Sequence, residues 1–205
     1  MRGYRDFIVK VDKLKENTLT TKGGVTIHLD GRLNQKEVTN SVVEVVSVPC
    51  TYDGPIKAGF NLFVDPTIFF TQVYEKGGEM ESIHLVDREK GWYKVNPSMI
   101  ICYSEGEGTM WKGFNDNLLV EKCVKNEVEE LKKIGSIIIP SIAKNKIETQ
   151  SYKILIINDL IEEVDVEDEV FVNEQMIVDV YLRGYKLSWI RNMDILAVIN
   201  NKEVA

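Results

Sequence analysis

Histidine is almost absent from this sequence: only His28 and His84 occur in 205 residues, and neither has a partner at the spacing of a metal site or catalytic triad. Cysteine is sparse too. Cys50, Cys102 and Cys123 form no C-x-x-C pair, and an odd count at such spacing is expected of free thiols in a reducing compartment. No run approaches the roughly 20 apolar residues that span a bilayer. Met1 to Asp6 leads straight into an alternating segment without a signal-peptide core, so the expected location is the cytoplasm, with no membrane partner. Basic charge is the minority sign, 25 Lys+Arg against 32 Asp+Glu, for a net −7. A nucleic-acid groove needs a Lys/Arg-rich face to displace counterions, so no nucleic-acid partner is expected. Lys22-Gly23-Gly24 lacks the Lys-Ser/Thr that completes a phosphate-binding loop. The acidic run from Glu162 to Glu169 lacks the Gly and closing Glu of a calcium loop and reads as a solvated strand edge. No catalytic residue, metal or cofactor is therefore assigned, and the chain is not expected to be an enzyme.

What the sequence has in quantity is period-2 alternation rich in β-branched residues, the signature of half-buried strands. Phe7–Val11, Phe60–Val64, Ile68–Phe70, Ile83–Val86 and Met99–Tyr103 read as strands. Val42–Val48 is nearly continuous in apolar content and is expected to be buried on both faces. Asp53-Gly54-Pro55, Gly77-Gly78 and Asn96-Pro97 supply turns between them. After Gly106-Glu107-Gly108-Thr109 the pattern restarts. Asn117–Lys122 mirrors Asp6–Lys10, Lys153–Ile157 mirrors Val42–Val48, Glu169–Val172 mirrors Asn61–Val64, and Asp194–Ile199 mirrors Ser98–Tyr103, at offsets of about 95 to 115 residues. A repeat this long is a duplicated domain rather than a solenoid unit. The expected organisation is all-β: a first domain over 1–105, a linker over 106–116 and a second domain over 117–205. Val124, Val128 and Leu131 sit at helical spacing, compatible with a short helix or a loop.

Two long polar, Gly-containing connections follow the first strand of each half, and each carries a mainly apolar triplet. In the first it is Val25-Thr26-Ile27, in the second Ile137-Ile138-Ile139. Such a triplet can be a recognition element that orders in a partner's groove, or a short edge strand tucked into its own domain.

The order of these features resembles the GroES-like co-chaperonins. Asp6-Phe7-Ile8-Val9-Lys10 and Gly23-Gly24-Val25-Thr26-Ile27 resemble that family's first strand and mobile loop. Ile56–Phe63 is similar to its Val-Lys-x-Gly-Asp segment, with Phe60 replacing the Asp. Val166–Val172 fits the same segment in the second half. Asp194-Ile195-Leu196-Ala197-Val198-Ile199 resembles the closing segment, with Met193 where the family has Ser. The resemblance implies two tandem GroES-like small β-barrels with long mobile loops. It implies a co-chaperonin that caps a GroEL-type chaperonin ring and assists ATP-dependent folding as a homo-oligomeric ring. Val25, Thr26, Ile27, Ile137, Ile138 and Ile139 would then contact the chaperonin, the second triplet more strongly because Thr26 is polar. The links Pro49–Pro55 and Asn158–Val164 are short where many family members carry a roof hairpin, which is similar to the roofless phage-encoded branch. A different class of function, a structural or assembly protein reusing tandem barrels, remains open on sequence.

Overall fold

The computed structural model describes residues 3–12, 18–20, 26–28, 39–70, 72–73, 79–106, 108–123, 133–134, 137–138 and 150–199. Its strands are β1 (Phe7–Lys10), β2 (Thr18–Thr20), β3 (Thr26–His28), β4 (Val42–Ser47), β5 (Asn61–Val64), β6 (Gln72–Val73), β7 (Glu79–Met80), β8 (Leu85–Asp87), β9 (Trp92–Val95), β10 (Ile100–Ser104) and β11 (Lys112–Gly113). The second half adds β12 (Asn117–Lys122), β13 (Lys133–Ile134), β14 (Ile137–Ile138), β15 (Ser151–Ile156), β16 (Glu169–Val172), β17 (Val178–Leu182), β18 (Tyr185–Arg191) and β19 (Ile195–Ile199).

Two antiparallel sheets result. One runs β11-β10-β5-β4-β1-β9-β8 and the other β17-β18-β12-β15-β16-β19. Read from the opposite end, the second has the order of the first, with β12, β15, β16, β18 and β19 in the places of β1, β4, β5, β9 and β10. The four repeated segments thus hold equivalent ranks. Finer features repeat as well. The β1/β4 ladder shifts register between Ile8 and Val9, and β12/β15 shifts between Leu119 and Val120. The β5/β10 shift beside Val64 is matched by one beside Val172. A bulge is one unpaired residue that re-aims a strand, so identical bulge positions bend both sheets at the same points.

Each sheet wraps its own apolar core. Phe7, Val9, Val43, Val45, Leu62, Val64, Val95 and Ile100 meet in the first, and Leu118, Val120, Tyr152, Ile154, Val170, Val172 and Ile190 in the second. These are alternate residues along their strands, as a period of two requires. Among the described residues no ladder joins β8 to β11 or β17 to β19.

Three sequence expectations are corrected. Val42–Val48 is not buried on both faces: Glu44 is exposed and Val46 half-buried, because that charge opens one side to water. Ile68-Phe69-Phe70 is no strand. Asp65 accepts from Thr67 N at 2.9 Å and Pro66 presets φ, so Pro66–Phe69 forms a 3-10 turn with Ile68 and Phe69 buried. The acidic run is a loop as far as Asp168, and strand begins only at Glu169. A smaller shift moves the strand read at Ile83–Val86 to Leu85–Asp87. The segment Val124–Leu131 lies outside the described residues.

A third apolar cluster joins the halves. Phe63, Ile101 and Cys102 from the first sheet pack with Leu119, Val180, Leu182 and Leu187 from the second, flanked by Trp111 and Trp189. The stretch read as a linker is part of this joint. Its strand β11 pairs with β10, and Phe114 enters the first core at 7% exposure. Each fully buried aliphatic side chain contributes about 1.5–3 kcal/mol relative to exposure. The exposed Lys112–Asp159 ion pair at 3.3 Å adds little beside that. Apolar burial, not charge, holds the two sheets together.

Candidate functional site

The candidate site consists of the two excursions that interrupt equivalent strand pairs: β1 and β4 are antiparallel neighbours, as are β12 and β15. Each departs at one end of its pair and returns beside its point of departure. Each also contains a two-stranded ladder of its own. In the first, Thr18 faces His28, Leu19 faces Ile27 and Thr20 faces Thr26. In the second, Lys133 faces Ile138 and Ile134 faces Ile137. Neither ladder is shared with the large sheets. Thr26 and Ile27 therefore lie on β3, and Ile137 and Ile138 on β14, while Val25 and Ile139 lie outside the described residues. Among the described residues the two ladders share no strand pairing; they belong to separate excursions between equivalent strands of the two sheets.

Among the described residues no group of three or more His, Cys, Asp or Glu side chains is placed to hold a metal ion. Cys102 lies fully buried at the joint, and burial pushes its thiol well above the ordinary range, which removes the reactive thiolate. No helix among the described residues is long and apolar enough to cross a membrane.

The second unit has an open groove of about 500 Å³ lined by Lys122, Tyr152, Glu174, Ile177, Val178 and Asp179. Asp179 is bridged to Lys186 at 2.7 Å. Burial, then the nearby Glu174 and Asp179 carboxylates, raise the Tyr152 phenol above its ordinary value. The groove lies where the second excursion begins and ends, next to Cys123 and Gln150, whose side-chain amide donates to the Cys123 carbonyl at 2.7 Å. In the first unit the corresponding end is filled by Val11, Val43, Phe69 and Tyr93, the last two rings packed edge to face at 5.0 Å.

The links that would carry a roof form no hairpin. Residues 48–60 hold turns closed by the Tyr52 ring, which packs on Phe7 at 4.8 Å while its hydroxyl accepts from Ile56 N at 3.3 Å. Residues 157–168 hold turns only.

Sequence reasoning missed the joint. Its central polar residue is Asn117, 3% exposed, whose Nδ2 donates to the Ile100 carbonyl at 2.8 Å while its Oδ1 accepts from Trp189 Nε1 at 3.0 Å. The available signal was Asn117–Val120, four residues without a charge, where a one-faced strand would place one. No protein-family model matches this chain, and no match was found among curated proteins.

Proposed function

We propose that the chain is a co-chaperonin with two GroES-like barrels that caps a GroEL-type chaperonin ring through apolar triplets on its two excursions. The observation that carries this reading is the placement of β2–β3 and β13–β14. Both interrupt the same strand pair of a repeated sheet, and both pair internally rather than with that sheet. Pairing only within the excursion leaves these strands outside the hydrogen bonding of the large sheets, which supports a recognition role for the triplets.

Magnitudes favour a multivalent contact. Three buried aliphatic side chains give roughly 5–9 kcal/mol gross, and ordering a flexible segment removes about 2–5 kcal/mol of it. One arm alone is a weak ligand. Several arms on one assembly gain avidity from effective concentration and still release. Short links at residues 48–60 and 157–168 fit a cap without a roof, which would leave room above a large substrate.

The test is binding of the full chain to a GroEL-type ring, with and without ATP, measured by co-sedimentation. Ile138→Asp is expected to abolish nucleotide-dependent binding with the circular dichroism spectrum unchanged. Binding that survives this substitution and Ile27→Asp together sinks the reading. Stable association with particle proteins and none with the ring would favour a structural role instead.

A further inference from the structure

The two units close the same end of their sheets with different side chains. Counted from the shared bulges, Val11 corresponds to Lys122, Val43 to Tyr152 and Tyr93 to Ser188. Counted from the turns capped by Asp65 and Asn173, Pro66 corresponds to Glu174 and Phe69 to Ile177. In the first unit Val11, Val43, Phe69 and Tyr93 belong to one apolar core. In the second, serine and isoleucine stand in the places of two rings, and the groove of about 500 Å³ opens at that end. Such a volume suits a small ligand or a single side chain.

The same exchanges change the chemistry of that end. Lys122, Tyr152 and Glu174 each bring a polar group where the first unit has an apolar side chain. Tyr152 is 6% exposed, yet among the described residues its hydroxyl has no hydrogen-bond partner and is not sealed from solvent, so it opens on the groove. A buried phenol ordinarily finds a partner. Burial first, and then the Glu174 and Asp179 carboxylates, keep this phenol protonated, and a neutral hydroxyl can accept a hydrogen bond from a cation. Glu174 begins a 3-10 turn held by Asn173, whose Oδ1 accepts from Gln175 N at 3.2 Å. Among the described residues its carboxylate forms no ion pair, whereas Asp179 is shared with Lys186.

We propose that this groove binds a singly charged alkylammonium group, carried by a free amine or by a lysine side chain of a peptide. The ammonium donates to the Glu174 carboxylate, the Asp179 carboxylate and the Tyr152 hydroxyl, one acceptor for each of its protons. Its aliphatic stem lies on Ile177 and Val178. Lys122, which also lines the groove, limits the ligand to one positive charge, because a second would meet a like charge. The first unit offers no such place, since its corresponding end is filled by Phe69 and Tyr93. This inference stands apart from chaperonin capping, since it uses no residue of either triplet.

The test is titration of the isotope-labelled full chain with n-butylammonium chloride, followed by backbone amide shifts in nuclear magnetic resonance spectra. Saturable shifts are expected at Tyr152, Glu174, Val178 and Asp179, and none at Val43 or Tyr93. Sodium butyrate is expected to leave these amides unchanged, and a diaminobutane to bind no tighter than the monoamine. Glu174→Gln and Tyr152→Phe should each weaken binding about tenfold, since each removes a hydrogen bond to a charged group. Glu174 is exposed and phenylalanine keeps the Tyr152 ring, so both variants keep the fold. A tripeptide with blocked ends and one central lysine separates the sources: the same shifts support a peptide ligand, and shifts with butylammonium alone a free amine. No shift in the unmodified protein, an equal response to butyrate, tighter binding of the diamine, or full affinity in both variants overturns the proposal.

Discussion

The two units share a frame and differ in what fills it. The first closes one end with Val11, Val43, Phe69 and Tyr93, whereas the second leaves a groove there lined by Lys122, Tyr152, Glu174 and Asp179. The first has its last strand covered on both sides; the second leaves Leu196 in water. What stays constant is the backbone. Val45 exchanges bonds with Gly59 and Phe60 at 2.8 Å each, and Ile154 does so with Glu167 and Asp168 at 2.8 and 2.9 Å. The positions of bulges and turns thus define this fold, while core and surface side chains diverge.

The two units differ most at the joint. Phe63 is fully buried and its counterpart Phe171 is not. Phe63→Ala should cost about 3–5 kcal/mol of stability, and Phe171→Ala well under half of that. Urea denaturation of both variants measures the difference, and equal costs would show that the joint buries less than its geometry indicates.

They differ less at the turn that precedes β5 and β16. Gly59 has φ +87° and Glu167 φ +78°, a region that strains any residue with a Cβ. Glu167→Gly should stabilise the second unit by about 1 kcal/mol, less a little for loss of its exposed ion pair with Lys153. Gly59→Ala should destabilise the first by about the same amount, through strain alone, because no atom lies within 4 Å of the added Cβ. Thermal unfolding of the two variants should shift in opposite directions.

The smallest effect is in alkali. Burial raises the phenols of Tyr52, Tyr93 and Tyr103 in the first unit and Tyr152 in the second above the ordinary 10.0. The unfolded chain loses these protons first. The stabilisation is thus complete below pH 10 and is lost as pH rises through the folded-state values. With three such phenols against one among the described residues, the first unit should weaken more, which tyrosinate absorbance against pH in single Tyr→Phe variants can follow.

Much of the architecture was legible from residue order. Alternation located β1, β5, β10 and their counterparts, and the order of four segments disclosed the repeat. Other elements could not be read because their signals are ambiguous at short length. Ile68-Phe69-Phe70 has the composition of a strand and forms a 3-10 turn, although Asp65-Pro66 was a helix-start signal. Trp111 and Phe114 were hidden in a stretch whose glycines suggested a linker. Of the candidate site, sequence located the two excursions and their triplets; the ladders within them depend on pairing partners three to ten residues away, which composition does not specify.

Sequence by itself determined that this chain is β-rich, duplicated and furnished with two long polar connections, because strand period, turn chemistry and repeat order are local properties of the chain. Only the tertiary structure decided that the halves share a buried joint, and that among the described residues β10 has a strand on both edges and β19 on one. Those outcomes depend on which outward faces meet, and an outward apolar residue such as Leu119 or Leu196 looks the same in sequence whether another surface reaches it or water does.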